Sequence, residues 1–293
     1  MAIQIRPVAV VEVGDEFLQS LAALHEQTFT RPRGIQYYRW LYQDCPEKTL
    51  LVVAEDGHQI VGAIGARRWR TASGLVCGQL MDMIVTPDIR GSGVFAEMVS
   101  QVLESMRSVD FWFAHANPAG RMALTRKAGF STIGRISVLE AERAEFRELA
   151  GIPSDEDRRE ASLDRLVMSE EERSWRFDDH PEFSYTNLGT SRIGPLIVKE
   201  FLDDGALMLD LMTPFLGSEL ASIVARAGRE MTNWKKIYFW SAAHLTSYAS
   251  ALAAGFRERS QERYLVGKET SAAGHGLMDF EQWMVSAADT EYM

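Results

Sequence analysis

The sequence predicts an α/β protein built on mixed β-sheets with helices on both faces. Short β-branched runs alternate with segments of helical periodicity, which is the pattern of a layered α/β fold. Apolar residues make up 46% and charged residues 25% of the 293 residues, as in an ordinary globular protein. No stretch approaches the ~18 consecutive apolar residues that a membrane helix needs. The chain is therefore expected to fold around a sizeable core and to have no membrane association.

The strands of the first half follow from short apolar runs and from the residues that interrupt them. Glu55-Asp56-Gly57-His58 separates two such runs and indicates a hairpin turn. Pro87 cannot extend a hydrogen-bonded ladder, so the third run ends before it. The predicted strands are 49–54, 59–67, 75–85, 110–114 and 133–139.

Two helices are predicted between the later strands. Apolar residues recur at every fourth position from Val94 to Met106, which indicates an amphipathic helix. A second helix is predicted from Pro118 to Ala128, because Gly129 is the residue type that most often follows a helix end. Strands and helices thus alternate, as a mixed sheet covered on both faces requires.

A weak internal repeat runs through the chain. Four short segments of the first half recur in the same order in the second half, with offsets between 126 and 135 residues. The matched segments are 40–46 with 175–181, 81–87 with 209–214, 111–115 with 238–242, and 129–130 with 255–256. Four ordered matches favour two copies of one module over two unrelated domains.

The repeat and the charge distribution predict the domain boundaries. A first domain is expected at 1–145 and a second at 173–293. The acidic stretch 146–172 between them is expected to form a helical linker. The net charge of the chain is −10, with −1 on residues 1–150 and −9 on residues 151–293.

Composition excludes several classes of partner and site. No basic run appears, so a nucleic acid is not an expected partner. The start of the chain lacks the basic and apolar regions of a secretory signal. Cys45 and Cys77 are too few for a disulfide framework, and neither has a metal-ligand spacing. We expect a cytoplasmic protein with reduced thiols and no metal. Its oligomeric state is not predicted.

The loop after Pro87 carries the clearest functional signal. Arg90-Gly91-Ser92-Gly93 connects a strand to a helix, and its glycines can direct successive N–H groups into one concavity. The positive end of the helix dipole lies there, so the loop favours an anion such as a pyrophosphate. Arg90 adds a guanidinium suited to phosphate. A simple glycine-rich turn is the alternative.

This arrangement resembles the Gcn5-related N-acetyltransferase (GNAT) family. The features that carry the resemblance are the Arg-Gly-Ser-Gly loop between strand and helix, Asn117 after the next strand, and the helix that ends in Gly129-Phe130. Phe95 departs from the Gly or Ala that ends the family's loop signature. The Trp-x-Tyr-x-x-x-Pro element from Trp40 also resembles one branch of the family. The second copy, which has one glycine and an acid in its loop, resembles a degenerate copy in a tandem arrangement.

The resemblance implies that acyl-coenzyme A, most simply acetyl-CoA, is the donor. It places the pyrophosphate on the loop amides and pantetheine along the end of the third predicted strand and beside Asn117. The donor-binding residues that it implies are Ile84, Val85, Arg90, Gly91, Ser92, Gly93, Val94, Phe95 and Asn117.

For catalysis, the resemblance implies direct attack of an amine on the thioester. Asp82 and His115 are the candidates for the group that takes the amine proton. Asp82 has a positioning role as its alternative, and His115 has a structural one. The family's usual Tyr acid is replaced by Thr125. The aromatics Tyr38, Trp40 and Tyr42 precede the sheet and are candidates for contacting the acceptor, although simple helix packing explains them equally well.

The function expected from these residues is N-acylation of a small primary amine, such as an amino sugar or an amino acid. A non-catalytic acyl-CoA sensor or scaffold is one alternative. A GNAT-fold enzyme of another reaction type, O-acylation or acyl-CoA decarboxylation, is the other. The sequence determines neither the acceptor nor the acyl chain length.

Overall fold

The computed structural model describes residues 3–8, 13–29, 33–146 and 154–286. Its helices and strands are, in order, β1 (Gln4–Val8), α1 (Asp15–Thr28), α2 (Ile35–Tyr42), β2 (Leu50–Asp56), β3 (Gln59–Thr71), β4 (Val76–Val85), α3 (Val94–Ser105), β5 (Phe111–Ala116), α4 (Pro118–Lys127), β6 (Ser131–Glu142), α5 (Ser154–Ala161), β7 (Leu166–Val167), α6 (Glu170–Arg173), β8 (Ser184–Ser191), β9 (Gly194–Asp203), β10 (Ala206–Leu211), α7 (Leu220–Glu230), β11 (Trp234–Ser241), α8 (Thr246–Ala253), β12 (Arg257–Glu258) and β13 (Arg263–Glu269). The predicted α/β class is confirmed, and the elements predicted between 49 and 139 end within a few residues of their predicted ends.

The chain divides into two compact units that are not continuous in sequence. Unit 1 comprises 1–133, 166–182 and 265–278, and unit 2 comprises 134–165, 183–264 and 279–293. The continuous domains predicted at 1–145 and 173–293 therefore differ from the compact units. The reason is strand placement: β6 pairs antiparallel with β11 of unit 2, whereas β13 takes the position next to β5 in unit 1.

The predicted linker 146–172 is only partly described. Residues 147–153 lie outside the described residues. The remainder forms α5, β7 and the first residues of α6, so the helical part of the prediction agrees with α5 and α6. β7 departs from it, because Leu166 and Val167 pair with Thr71 and Arg70 at the end of β3.

Unit 1 is built on a sheet with the strand order β1-β2-β3-β4-β5-β13. Neighbours from β1 to β4 are antiparallel, and β4 and β5 are parallel. Leu51 and Val53 of β2 join a core cluster with side chains of α1 and α2. Val52, equally buried, faces the opposite side of the sheet because side chains alternate along a strand, and α3 packs against β2. Helices therefore cover both faces, as predicted.

The two copies of the repeated Trp motif meet inside unit 1. The rings of Trp40 and Trp175 are stacked, with centroids 4.4 Å apart and planes 9° from parallel. Each indole N–H donates to the other residue's backbone carbonyl, at 2.8 Å from Trp40 and 2.9 Å from Trp175. Both side chains are almost fully buried. This pair ties α2 to the segment 166–182, which follows far later in the sequence.

Unit 2 has its own sheet, with the strand order β6-β11-β10-β9-β8. β10 and β11 are parallel, and the other neighbours along this order are antiparallel. Apolar side chains of these strands form one core cluster with α7 and α8, including Leu209, Ile237, Phe239 and Phe256. The second half of the sequence thus retains a packed core.

The described residues contain neither a membrane-spanning helix nor a metal-binding group. None of the described helices combines the length and the apolar character that crossing a bilayer requires. No three His, Cys, Asp or Glu side chains of the described part come together as a metal-binding group. Cys45 and Cys77 are both free thiols.

The stacked tryptophans generate a stability prediction. Trp175→Ala removes a buried ring and the hydrogen bond that its indole N–H donates to the Trp40 carbonyl, so we expect the free energy of unfolding to fall by about 3–5 kcal/mol. Urea denaturation followed by circular dichroism measures this loss. The matched control is Leu252→Ala, because Leu252 is 44% exposed and its truncation should cost less than about 0.5 kcal/mol. Equal losses in the two variants would contradict the role of the pair.

Candidate active site

The site is organised by the carboxyl end of β4. Pairing between the parallel strands β4 and β5 covers only Cys77–Gln79 with Phe111–Phe113. The later residues of the two strands do not pair with each other. Gly78 permits the close approach at the paired end, since a Cβ there would lie 2.6 Å from the Trp112 ring. The backbone edge of β4 towards Val85 is consequently left open on the β5 side.

A β-bulge in β4 places Asp82. Ala63 pairs with Ile84 and Gly65 with Met81, so two residues of β4 oppose the single residue Ile64 of β3. Asp82 has φ of +45°, in the left-handed region that Asp and Asn tolerate better than most residues. Its side chain is buried, with 1% of its surface exposed. Bulges re-aim side chains in this way beside active sites.

Tyr42 of α2 reaches this carboxylate. Its hydroxyl donates to the Asp82 Oδ2 atom at 3.4 Å, a long hydrogen bond. Gly65 makes room for that hydroxyl, because a Cβ at Gly65 would lie 2.5 Å from it. Burial raises the pKa of Tyr42, and the negative charge of Asp82 raises it further. Tyr42 therefore stays neutral and acts as a hydrogen-bond donor.

Further polar side chains lie close enough to Asp82, or to its neighbours, to interact electrostatically with them. Arg33 forms an ion pair with Glu182, and its guanidinium lies 4.3 Å from the centre of the Tyr37 ring. Its side chain is only 4% exposed. We call the following set the acceptor cluster: His25, Arg33, Tyr37, Tyr38, Tyr42, Asp82 and Glu182. All of its members belong to unit 1.

Some polar atoms of the acceptor cluster are buried without a hydrogen bond to the described residues. They include the Tyr38 hydroxyl and the His25 Nδ1 atom. Burial raises the pKa of Tyr38, and the charge of Asp82 adds to this, so the phenol stays protonated. Burial lowers the pKa of His25 to about 4, and the charge of Arg33 lowers it too. The cluster therefore holds a neutral imidazole and a neutral phenol with hydrogen-bonding capacity to spare.

The loop from Pro87 to Gly93 has the geometry of an anion site. Gly91 and Gly93 have φ of +90° and +96°, which explains why these positions are glycine. The N-cap residue Gly93 has no side chain to cap α3, which begins at Val94, and the Val94 amide makes only a long hydrogen bond, 3.5 Å, to the Ser92 Oγ atom. Among the described residues, the amides of Gly91, Gly93 and Phe95 donate no hydrogen bond. A row of available N–H groups thus stands at the positive end of a helix.

The remaining donor-site candidates lie on either side of this loop. Ser92 donates to the Ile89 carbonyl at 2.7 Å, and Arg90 donates to the Val85 carbonyl at 3.2 Å. Both side chains are largely exposed. Ile84 and Val85 pair on one side with Ala63 and Gly62 of β3, which leaves the other edge of β4 open. The predicted donor residues of the loop and strand are therefore contiguous.

His115 and Asn117 stand at the end of β5. His115 is half-buried and contacts Phe113 edge-on, with ring centroids 5.7 Å apart. The Asn117 side-chain oxygen caps α4 by accepting from the Gly120 amide at 2.8 Å, so its NH2 group is the part left for a ligand. Thr125 donates to the Arg121 carbonyl of its own helix at 2.9 Å. Its hydroxyl is engaged and does not replace the missing Tyr.

The three predicted acceptor residues divide into two groups. Tyr38 and Tyr42 belong to the acceptor cluster, with near-parallel rings 6.3 Å apart. Trp40 instead stacks on Trp175, and the centroids of the Trp40 and His180 rings are 4.3 Å apart. Packing therefore accounts for the position of Trp40. Sequence reasoning missed Arg33, His25 and Glu182. Glu182 had no local signal, because it pairs with a residue 149 positions earlier.

The corresponding region of unit 2 is closed by its own side chains. β10 and β11 pair from Leu207 through to Leu211, so no backbone edge is left open there. Glu219 accepts from the Leu216 and Arg192 amides, and the Gly217 amide donates to Thr246 at 3.1 Å. The loop amides that an anion would need are therefore already bonded.

Asp210, the repeat counterpart of Asp82, is also engaged. At Asp210 the strand pairs in regular register with β9, and the carboxylate is 3.8 Å from the ammonium of the buried Lys199. Burial raises the pKa of Asp210 to about 6, against the lowering effect of Lys199. The carboxylate thus belongs to an internal ion pair.

Comparisons with known proteins give a family match and a fold likeness. The family model for the acetyltransferase (GNAT) family matches residues 17–130. No curated protein matches the chain. The solved structures that share the fold at low identity include the following three. A GCN5-related N-acetyltransferase from Kribbella flavida has 15% identity and a TM-score of 0.58, over 92% of this chain and 72% of that one.

The other two structures are similarly distant. A probable N-acyltransferase from Enterococcus faecalis V583 has 10% identity and a TM-score of 0.60, over 92% of this chain and 73% of its own. A putative acetyltransferase from Pyrococcus horikoshii has 11% identity and a TM-score of 0.57, over 97% of this chain and 93% of its own. At these identities the likeness concerns the fold alone.

The lowered pKa of His25 predicts a pH dependence of stability. The imidazole has a pKa of about 4 in the folded chain and an ordinary value of 6.5 in the unfolded one. Between these values the unfolded chain binds the proton more tightly, so stability is lost as the pH falls from about 6.5 towards 4. We expect His25→Gln to lose less stability than the wild type between pH 7 and 5, by on the order of 1 kcal/mol. Urea titrations at both pH values measure the difference, and parallel losses would contradict it.

Proposed function

Because this chain belongs, through residues 17–130, to the acetyltransferase (GNAT) family, we propose that it transfers an acyl group from acyl-CoA to the primary amine of a small molecule. The observation that carries the proposal is that one strand, β4, adjoins both the glycine loop and the acceptor cluster. The strand ends at Val85, just before the glycine loop that leads to α3. Three residues before that end, the bulge in β4 directs Asp82 towards the acceptor cluster. Acetyl-CoA is the simplest donor that fits.

The donor half of the proposal is supported by the loop. The open amides at Gly91, Gly93 and Phe95 suit a pyrophosphate, and the exposed Arg90 can approach it. The unpaired edge of β4 at Ile84 and Val85 can exchange hydrogen bonds with the amide groups of pantetheine. The thioester would then lie between the ends of β4 and β5.

The acceptor half requires a free amine, because only the unprotonated nitrogen is nucleophilic. In the proposed reaction, the ammonium gives one proton to the Asp82 carboxylate. The nitrogen attacks the acyl carbon, the C–N bond forms and the C–S bond breaks. Sulfur leaves as a thiolate and takes up the second proton from nitrogen, through His115 or water. The products are the amide, the thiol of coenzyme A and one proton, which Asp82 returns to solvent.

One observation favours a second candidate function. Thr125 stands where the family often has a Tyr acid, and its hydroxyl is bonded to its own helix. If neither His115 nor water protonates the leaving thiolate in its place, the chain would bind acyl-CoA without transferring it and would serve as a non-catalytic sensor. A thiol-release assay with acetyl-CoA and a panel of amines separates the two. Release that depends on the amine supports the transferase, and tight coenzyme A binding without any release supports the sensor.

The first prediction of this proposal concerns the loop. Gly93→Glu places a negative charge among the amides of the loop, so coenzyme A binding should weaken at least tenfold, or about 1.4 kcal/mol. Gly74→Glu is the matched control, because Gly74 also has a φ of +90° with open space around it. It should bind like the wild type. Calorimetry of the wild type should also give a stoichiometry of one coenzyme A per chain. Equal weakening of binding in the two variants, or a stoichiometry of two per chain, would contradict the proposal.

The second prediction concerns Asp82. Asp82→Asn removes the base while retaining a residue type that tolerates φ of +45°. Turnover should fall by roughly 10²–10⁴, with coenzyme A affinity nearly unchanged. Steady-state kinetics and calorimetry measure the two quantities, and His115→Gln assayed in parallel shows which group controls the pH profile. A rate within about threefold of the wild type would remove Asp82 from the mechanism.

A further inference from the structure

Three elements of unit 1 meet at the candidate base: Gly65 belongs to β3, Tyr42 to α2 and Asp82 to β4. We infer that Tyr42 is a positioning residue for the Asp82 carboxylate rather than a contact of the acceptor. We infer further that residue 65 is a glycine because the Tyr42 hydroxyl occupies the space of a side chain there. The inference rests on the proposed function, in which Asp82 takes the amine proton, and adds two residues to its machinery.

The backbone at Asp82 is of a kind that depends on its surroundings. A φ of +45° is uncommon for a residue other than glycine, and such a conformation persists only where neighbouring contacts hold it. The bulge also interrupts the regular ladder between β3 and β4 at this point. A side-chain contact therefore influences the direction of the Asp82 carboxylate more than it would in a regular strand.

Tyr42 supplies such a contact from a well-packed position. Its ring is buried and stacks near-parallel to that of Tyr38, and its hydroxyl donates to the Asp82 Oδ2 atom at 3.4 Å. A donor to a carboxylate favours the ionised form, which is the form that can accept a proton from the amine. Burial and the charge of Asp82 raise the pKa of Tyr42, so its phenol remains a donor. Tyr42 thus holds the base without exchanging its own proton.

Gly65 leaves the space in which the Tyr42 hydroxyl lies. A Cβ at Gly65 would be 2.5 Å from the hydroxyl oxygen, closer than real Cβ atoms come to another atom. The φ angle of Gly65 lies outside the left-handed region, so the backbone itself does not call for glycine there. The remainder of the ring requires less room, because its Cε1 atom would lie 3.2 Å from the same Cβ. The glycine therefore serves the hydroxyl above all.

Tyr42 shares the task of holding Asp82 with other groups. Asp82 has at least one further polar or electrostatic interaction, and Arg33 and Tyr38 interact with it electrostatically. Removal of the Tyr42 hydroxyl is therefore expected to misplace the carboxylate in part of the molecules and to lower activity less than removal of the carboxylate itself. Because Tyr42 acts through Asp82, the change should appear in kcat and not in the affinity for the amine.

The first test removes the hydroxyl and keeps the ring. In the full-length protein, Tyr42→Phe should lower kcat with acetyl-CoA and an accepted amine by about fivefold or more. KM for the amine and the affinity for coenzyme A should stay within about twofold of the wild type. Tyr248→Phe is the matched control, because its phenol also donates to a carboxylate, that of Glu258 at 3.2 Å, but in unit 2. A wild-type kcat in Tyr42→Phe, or a loss that appears mainly in KM, would overturn the inference.

A double-variant comparison shows whether Tyr42 acts through Asp82. Two residues that act through one group have effects that do not add. In the Asp82→Asn background, Tyr42→Phe should therefore lower kcat by less than about twofold, because no base remains to be positioned. The same loss of kcat in both backgrounds would mean that the hydroxyl acts on its own, and it would overturn the inference.

The role of Gly65 is tested through stability, which requires no activity. Gly65→Ala should lower the thermal midpoint of unfolding, because the new methyl group meets the Tyr42 hydroxyl. In the Tyr42→Phe background this loss should be at least halved. Gly228→Ala is the control, since a Cβ there meets nothing within 4 Å, and it should not lower the midpoint. Equal losses from Gly65→Ala in both backgrounds would overturn the inference.

A second stability comparison separates this inference from the proposed function. If no amine is acylated, Tyr42→Phe is combined with Asp82→Gly, which removes the carboxylate and suits a φ of +45°. The loss of thermal midpoint from Tyr42→Phe should shrink by at least half once the carboxylate is gone. That result supports Tyr42 as the residue that holds Asp82 even though transfer has failed, whereas equal losses in both backgrounds overturn it.

Discussion

The reciprocal contact between Trp40 and Trp175 is the interaction on which the candidate site depends. It stacks two large rings and satisfies both indole N–H groups with backbone carbonyls, so it fixes α2 and the segment 166–182 together. α2 carries Tyr38 and Tyr42, and the segment ends at Glu182, the partner of Arg33. Residues far apart in sequence are thereby held around one carboxylate, Asp82.

A second constraint lies in β4, where three departures from a regular strand occur within ten residues. Pairing with β5 stops after Gln79, the bulge turns Asp82, and the ladder ends at Val85 before the glycine loop. The first and third departures leave backbone groups that a longer ladder would have paired within the sheet. The bulge changes the direction of the buried Asp82 side chain.

Unit 2 shows what happens when these departures are absent. Its parallel pair runs to Leu211, its loop amides are bonded to Glu219 and Thr246, and Asp210 is paired with Lys199. The core of the unit remains well packed. Core packing and ligand binding therefore depend on different residues. The apolar residues maintain the packing of helices on the sheet. A few polar groups decide whether the backbone amides at the end of the parallel strand pair are free to bind a ligand.

The sequence by itself determined the α/β class, most elements of the first half and the glycine loop, and it made Asp82 a candidate for the site. These features depend on local patterns, namely periodicity, glycine and proline positions, and the residue types around a turn. The sequence also revealed that the Trp motifs repeat. Only the tertiary structure decided that the two motifs pack on each other, that β13 lies beside β5, and that Arg33, His25 and Glu182 join Asp82. Such contacts depend on which distant segments share a core, and nothing in the local pattern around Glu182 records that it will meet a residue 149 positions away.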